Sequence, residues 1–234
     1  MSSKVALFTT LPNTVNEFLH WPWEQIEPYY QDLQTRTLDA ATVIAWLSDW
    51  TRLEERLFEA FQRLYVAITV DTTDAQAQKR YTDFLDKIYP QTQAASQALK
   101  EKLLASRLEV AGFEIPLRNI RAEAQIFQQA NLPLLTEELK LCSEYDRIVG
   151  AQTVTWDANE VTLPQLEPVY LEHDRPRRER AWRLAMGRWL EDRQAISQLW
   201  TQLSDLRSQI AANAGFLDYR AYRWLQLLRF DYTP

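Results

Sequence analysis

The sequence predicts a mainly α fold: a multi-helix, antiparallel, bundle-like domain with one β-hairpin inset at about residues 152–163. Three observations predict it. Apolar residues recur at spacings of three and four over long stretches, the signature of helices with one buried face. Helix-capping and helix-breaking residues punctuate those stretches at short intervals. Only one segment, QTVTWDANEVTL, combines β-branched and aromatic residues around a polar centre.

Residues 1–20 read as an extended arm, with Pro12 and no helical period. Trp21-Pro22 reads as a helix start, since proline fits the first turn. Ile26, Tyr29, Tyr30 and Leu33 would share one face, and Pro28 would kink or shorten the helix. Asp39 is a candidate N-cap for the next helix, because its carboxylate can accept from free backbone N–H groups. There Val43, Leu47, Trp50, Leu53, Leu57, Phe61, Leu64 and Ile68 form a continuous apolar stripe. Asp49, Arg52, Glu55, Arg56, Glu59 and Arg63 form its solvated side.

The run Asp71-Thr72-Thr73-Asp74 ends that helix and caps the next. Tyr81, Phe84, Leu85, Ile88, Ala95, Leu99 and Leu103 continue a stripe, with a kink expected at Pro90. These two helices would pack antiparallel across the short connection. Gly112 and Pro116 mark a break before a helix of about 117–129. Another helix would open at Thr136 and end at Gly150.

In the hairpin, residues 153–156 would face 161–163 across an Asp157-Ala158-Asn159 connection. An isolated hairpin is marginal in water, so this one must pack on helices, as a structural flap rather than a binding element. Leu163-Pro164 opens a short helix. Asp174 would cap the longest helix, about 175–213, striped by Trp182, Ala185, Trp189, Ile196, Trp200, Leu203 and Ile210. No Gly-, Ser- or Pro-rich linker and no repeat interrupts the chain, so residues 1–234 are expected to form one helical body.

Composition excludes several functions. A chain of 234 residues buries roughly 70% or more of its unfolded surface, enough for a core without staples. One cysteine, Cys142, cannot form an intramolecular disulfide, so a cytoplasmic location is expected. The N-terminus lacks a secretory pattern, and no run of about 18 apolar residues predicts a membrane span. A net charge of −6 argues against a nucleic-acid binder, which carries a basic stripe. Arginine dominates the cations, and it is expected to pack on the 28 aromatic residues.

The chain offers little to any catalytic scheme. A catalytic zinc takes three protein ligands, yet His20 and His173 are the only histidines, and no H-E-x-x-H is present. His173 lies beside the Asp174 cap, and His20 reads as a packing or surface residue. Cys142 lies mid-helix and reads as a buried structural thiol. No G-x-S-x-G, G-x-x-x-x-G-K or G-x-G-x-x-G can be written. The arginines at 175, 177, 178, 180 and 183 alternate with Glu172, Asp174 and Glu179, which favours local ion pairing over an anion site. The sequence therefore assigns no catalytic residue and no metal ligand, and it leaves substrate-binding positions open.

Segments along the whole chain resemble the oligoendopeptidase F group of zinc metallopeptidases, related to thimet oligopeptidase. They are residues 23–30 (WEQIEPYY), 45–53 (AWLSDWTRL), 65–74 (YVAITVDTTD), 116–119 (PLRN) and 137–155 (EELKLCSEYDRIVGAQTVT). Residues 174–182 (DRPRRERAW), 210–222 (IAANAGFLDYRAY) and 229–234 (RFDYTP) complete the set, and the last two are the most specific. The resemblance implies the N-terminal half of a peptidase that cleaves short peptides. In that family an H-E-x-x-H and a downstream glutamate bind zinc in a following catalytic half. The glutamate of H-E-x-x-H serves as general base on the zinc-bound water. None of those positions exists here, so none is carried over. At the hairpin tip, relatives often have a glycine where this chain has Asp157-Ala158-Asn159, which leaves the turn type open.

The resemblance thus implies one wall of a peptide channel, completed by a missing catalytic half that holds the zinc; charge and hydropathy lead to the expectation of no nucleic-acid or membrane partner. The chain alone is expected to bind no catalytic zinc and to turn over no peptide. The rival reading is a free-standing helical interaction protein derived from the same scaffold. A polar surface all round would favour the rival, and an exposed apolar face would favour the peptidase part.

Overall fold

The computed structural model describes residues 7–233. The start of the expected arm, residues 1–6, lies outside them. The rest of that arm is not extended. It forms a 3-10 turn at Leu7–Thr9 and a short helix α1, Val15–Phe18. Phe8, Leu11, Val15 and Phe18 are buried, and their helix-like spacing lets them dock together. Arg52 and Arg56 donate to the carbonyls of Phe8 and Pro12, holding the segment down. Tertiary burial organises a stretch too short to be helical by itself.

Helix α2, Trp23–Thr35, follows Pro22 and buries Ile26, Tyr29, Tyr30 and Leu33 as the spacing predicts. Pro28 neither ends nor shortens it. Its C-terminal carbonyls at Leu33 and Gln34 accept from the Lys102 ammonium at 3.0 and 2.7 Å, where the negative end of the helix dipole favours a cation.

Helix α3, Val43–Val70, is the longest element and buries its predicted stripe, with Trp46 and Ala60 in addition and Phe61 half-buried. Its N-cap is Thr42, not Asp39. Asp39 instead accepts from the N–H groups of Ala41 and Thr42, which builds the turn before the helix. Asp74 caps α4, Ala75–Lys87, by accepting from Gln76 and Ala77. The expected kink at Pro90 is a full break at Ile88, and α5 runs Tyr89–Ser106 with Pro90 in its first turn. A proline there has no N–H to continue α4 but fits a new first turn.

Two further boundaries move toward the N-terminus. Helix α6 spans Glu114–Ile126, with Pro116 inside its first turn rather than before it. Helix α7 spans Leu132–Gly150, again with proline, Pro133, in the first turn. Thr136 is therefore not the cap. Its buried hydroxyl donates to the Leu85 carbonyl of α4.

Strands β1, Thr153–Trp156, and β2, Asn159–Thr162, pair antiparallel with Trp156 opposite Asn159. The connection is thus two residues, Asp157 and Ala158, not three. Both have positive φ, 48° and 69°, the pattern of a type I′ turn whose twist matches the strands. A 3-10 turn, Leu163–Leu166, and helix α8, Glu167–Tyr170, lead to α9. The single helix expected over 175–213 is two: α9, Arg175–Glu191, and α10, Arg193–Asn213. They meet at Asp192, whose Oδ2 accepts from Arg188 Nη1 at 2.7 Å and Gln152 Nε2 at 2.9 Å. Those bonds fasten the break to the base of the hairpin.

Helix α10 closes at Gly215 (φ 79°), with the Phe216 N–H reaching back to the Ala211 carbonyl and that of Gly215 to Ala212. This is a Schellman close, which needs a left-handed residue. Asp218 then caps α11, Tyr219–Gln226. The segment after it folds back: Trp224 Nε1 donates to the Tyr232 carbonyl, and Arg118 stacks on Phe230.

The main core gathers α1, α2, α3, α5 and α6. Smaller clusters join α3 to α4, the hairpin to α8 and α9, and α6 to α10 and α11.

Candidate functional surfaces

A connected set of ionisable side chains lies on α7. Glu138, Cys142 and Asp146 stand at successive turns, so one face carries all three. Glu138 Oε1 accepts from Arg207 Nε of α10 at 2.7 Å and from the Tyr219 hydroxyl of α11 at 3.0 Å. Asp146 Oδ2 accepts from the Tyr65 hydroxyl of α3 at 3.0 Å. The Cys142 thiol lies between, with an Arg207 nitrogen 4.0 Å from its sulfur. Arg207 also stacks on the Tyr219 ring.

Electrostatics make this seam a brace rather than a nucleophilic centre. Burial pushes the Cys142 thiol above its ordinary value, and Glu138 and Asp146 add to the rise while Arg207 opposes it. The protonated thiol is a poor nucleophile. Burial, with Glu138 nearby, pushes Tyr219 up to about 12. Tyr81 rises further for the same first reason. Neither group is poised to exchange protons near neutrality. Cys142 is half-buried, somewhat more open than the sequence suggests.

The histidines stay apart from this seam. His20 is exposed on the wall of a groove of about 620 Å³, with Trp21, Trp23, Arg80, Asp83 and Lys87. His173 is exposed beside the Asp174 cap, whose carboxylate accepts from the Arg177 N–H. Among the described residues, no group of three or more His, Cys, Asp or Glu side chains could hold a metal ion.

The arginine-rich start of α9 is occupied by local partners. Arg177 pairs with Asp157 at 2.8 Å and Glu172 at 2.9 Å, and Arg180 pairs with the same Asp157. Arg183 pairs with Glu179, and Arg178 donates to the Glu172 carbonyl. The guanidinium groups of Arg180 and Arg177 lie 4.1 and 4.9 Å from the Trp156 ring centre. The Arg177 hydrogen bond, with Arg180 behind it, holds the Asp157 carboxyl below the usual range. The hairpin tip is thus clamped to α9, as a structural flap requires.

The stripe along α9 and α10 divides in two. Ala185, Leu203 and Ile210 are buried, whereas Trp182 and Trp200 are 53% and 69% exposed. Together with Met186, Trp189, Leu190 and Ile196, Trp182 borders an apolar groove of about 420 Å³. Periodicity identifies the apolar side of a helix but not what covers it. The Glu138–Arg207–Tyr219 contacts leave no local signal either, because their members are 69 and 81 residues apart.

Residues 17–114 match the family model described as the Peptidase M3 N-terminal domain. A Bacillus anthracis strain Ames protein described as an oligoendopeptidase F superposes with a TM-score of 0.81 at 18% identity, covering 91% of this chain and 40% of that one. The chain has the fold of an M3-peptidase N-terminal region. PZ peptidase A, solved with an inhibitor, gives 0.81 at 23% identity, with 97% of this chain and 40% of that one covered. A second oligoendopeptidase F structure gives 0.82 at 19%, with the same coverages of 97% and 40%. No curated protein matches the chain in sequence. This M3-like region spans about two fifths of the length of the solved chains it matches. No helix among the described residues is long and apolar enough to cross a membrane.

Proposed function

We propose that this chain is the N-terminal, helical part of an oligoendopeptidase F-like peptidase, residues 1–234 acting as a unit that forms one wall of a channel for short peptides. The match of residues 17–114 to the M3 N-terminal model carries this reading, and the superpositions over 91–97% of the chain support it. Hydrolysis in the complete enzyme is performed by residues that this chain does not contain, where the family holds its zinc. The contribution of the present residues is shape. The α7 seam and the Asp192 junction fix the angles between helices, and rigid walls position a substrate for chemistry supplied elsewhere.

The rival, a free-standing helical interaction protein, calls for a polar surface all round, and the exposed Trp182 and Trp200 run against it. The purified chain is tested by metal analysis and by incubation with a quenched fluorogenic peptide in added zinc. Sub-stoichiometric zinc and no turnover are expected. Zinc bound one to one with peptide cleavage overturns the proposal.

A further inference from the structure

The side of α9 and α10 that faces away from the core carries the wrong residues for a solvated surface. Trp182, Met186 and Leu190 stand one turn apart, and Ile196 and Trp200 continue the row across the Asp192 break. A helix face meant for water carries charged and polar residues. Here Trp182 and Leu190 are more than half exposed at an apolar groove, and Trp200, also more than half exposed, stands one turn beyond its Ile196; contiguous patches of this kind mark interaction sites. Arg193 lies in the same groove with no ion-pair partner among the described residues.

Two observations identify the occupant. The superpositions use nearly all of this chain but only 40% of each solved chain, so about three fifths of the complete architecture has no counterpart here. A second copy of this chain fits poorly, because an isologous pairing centred on the groove sets Arg193 against its own equivalent. Covering a guanidinium without an acceptor is costly, so the occupant must bring one.

We propose that the α9–α10 face is the docking surface for the polypeptide corresponding to the remaining three fifths of the M3-type architecture. That polypeptide lays an apolar surface over Trp182, Met186, Leu190 and Trp200 and sets a carboxylate against Arg193. The inference rests on the reading of function given above and names the surface through which that function is assembled.

The test uses the full chain and, as probe, the H-E-x-x-H-bearing polypeptide encoded in the same genome, expressed separately. Analytical ultracentrifugation measures the complex, and a fluorogenic peptide measures turnover. Wild-type chain is expected to bind, and Trp182→Glu/Trp200→Glu to weaken binding about 100-fold or more, as for central interface tryptophans. Arg193→Glu is expected to weaken it as well. Both indoles are exposed, so unchanged circular dichroism and Tm will show the variants fold. Full-strength binding and turnover by the double variant overturn the face and leave the peptidase reading standing. Self-association abolished by the same substitutions overturns the occupant in favour of a second copy. No complex and no turnover, or a genome with no such polypeptide, overturns both readings.

Discussion

Arg207 of α10 donates its Nε–H to Oε1 of Glu138 on α7 at 2.7 Å, and Tyr219 of α11 donates to the same oxygen at 3.0 Å. The Glu138 side chain is only 14% exposed. Removing the guanidinium leaves a largely buried carboxylate with one donor fewer. Arg207→Ala is therefore expected to cost about 1–3 kcal/mol, the range for hydrogen bonds to charged groups. Urea denaturation of the two proteins checks it, and equal midpoints would count against the brace.

The same seam predicts a dependence on alkaline pH. Tyr219 rises to about 12 through burial first and Glu138 second, and Tyr89, buried near Glu138, also rises to about 12. A tyrosine of raised folded pKa contributes stability that is fully present below the unfolded value of about 10. That stability is lost as pH climbs toward 12. Unfolding midpoints should hold level from these groups below pH 10 and decline above it, and Tyr219→Phe should flatten part of the decline. A slope unchanged by Tyr219→Phe contradicts the assignment.

Ala158 occupies the second position of the hairpin turn at φ 69°. A Cβ is strained in that region, by about 1–2 kcal/mol. Ala158→Gly relieves that strain and is expected to stabilise the protein by up to about 1 kcal/mol, the rest being offset by the freedom glycine gains in the unfolded chain. Thermal unfolding reads the change as a rise in Tm. A lower Tm would mean that the turn tolerates its alanine without strain.

Trp46 is 1% exposed, and its Nε1 donates to the Leu33 carbonyl at 2.8 Å. Trp46→Ala removes both a large core volume and that bond, for an expected loss of about 3–5 kcal/mol. A loss below about 1 kcal/mol would show that the core re-forms around the gap.

How much of this was legible in the sequence differs by kind of interaction. Leu47, Leu53 and Leu64 were recognisable as core because their period is a local property of one helix. The Asp74 and Asp174 caps were legible for the same reason. The break at Asp192 carries no proline or glycine and is held by Arg188 and by Gln152, 40 residues away, so local pattern ran straight through it. Trp182 and Trp200 share the apolar stripe with buried Ala185 and Leu203, and periodicity supplies that apolar side without naming its cover. Arg207, Glu138 and Tyr219 meet only through the packing of three helices. The proposed function rests on resemblance rather than on a cluster of reactive side chains legible in the sequence.

On the function proposed above, this chain shapes a peptide channel and the chemistry comes from another part of the enzyme. This is tested most directly by the rate of fluorogenic-peptide hydrolysis with the chain alone, the H-E-x-x-H-bearing polypeptide alone, and the two combined. No turnover is expected from the chain alone, and a large gain when the two are combined. Turnover by the chain alone, or a partner whose rate is indifferent to its presence, would contradict the proposal.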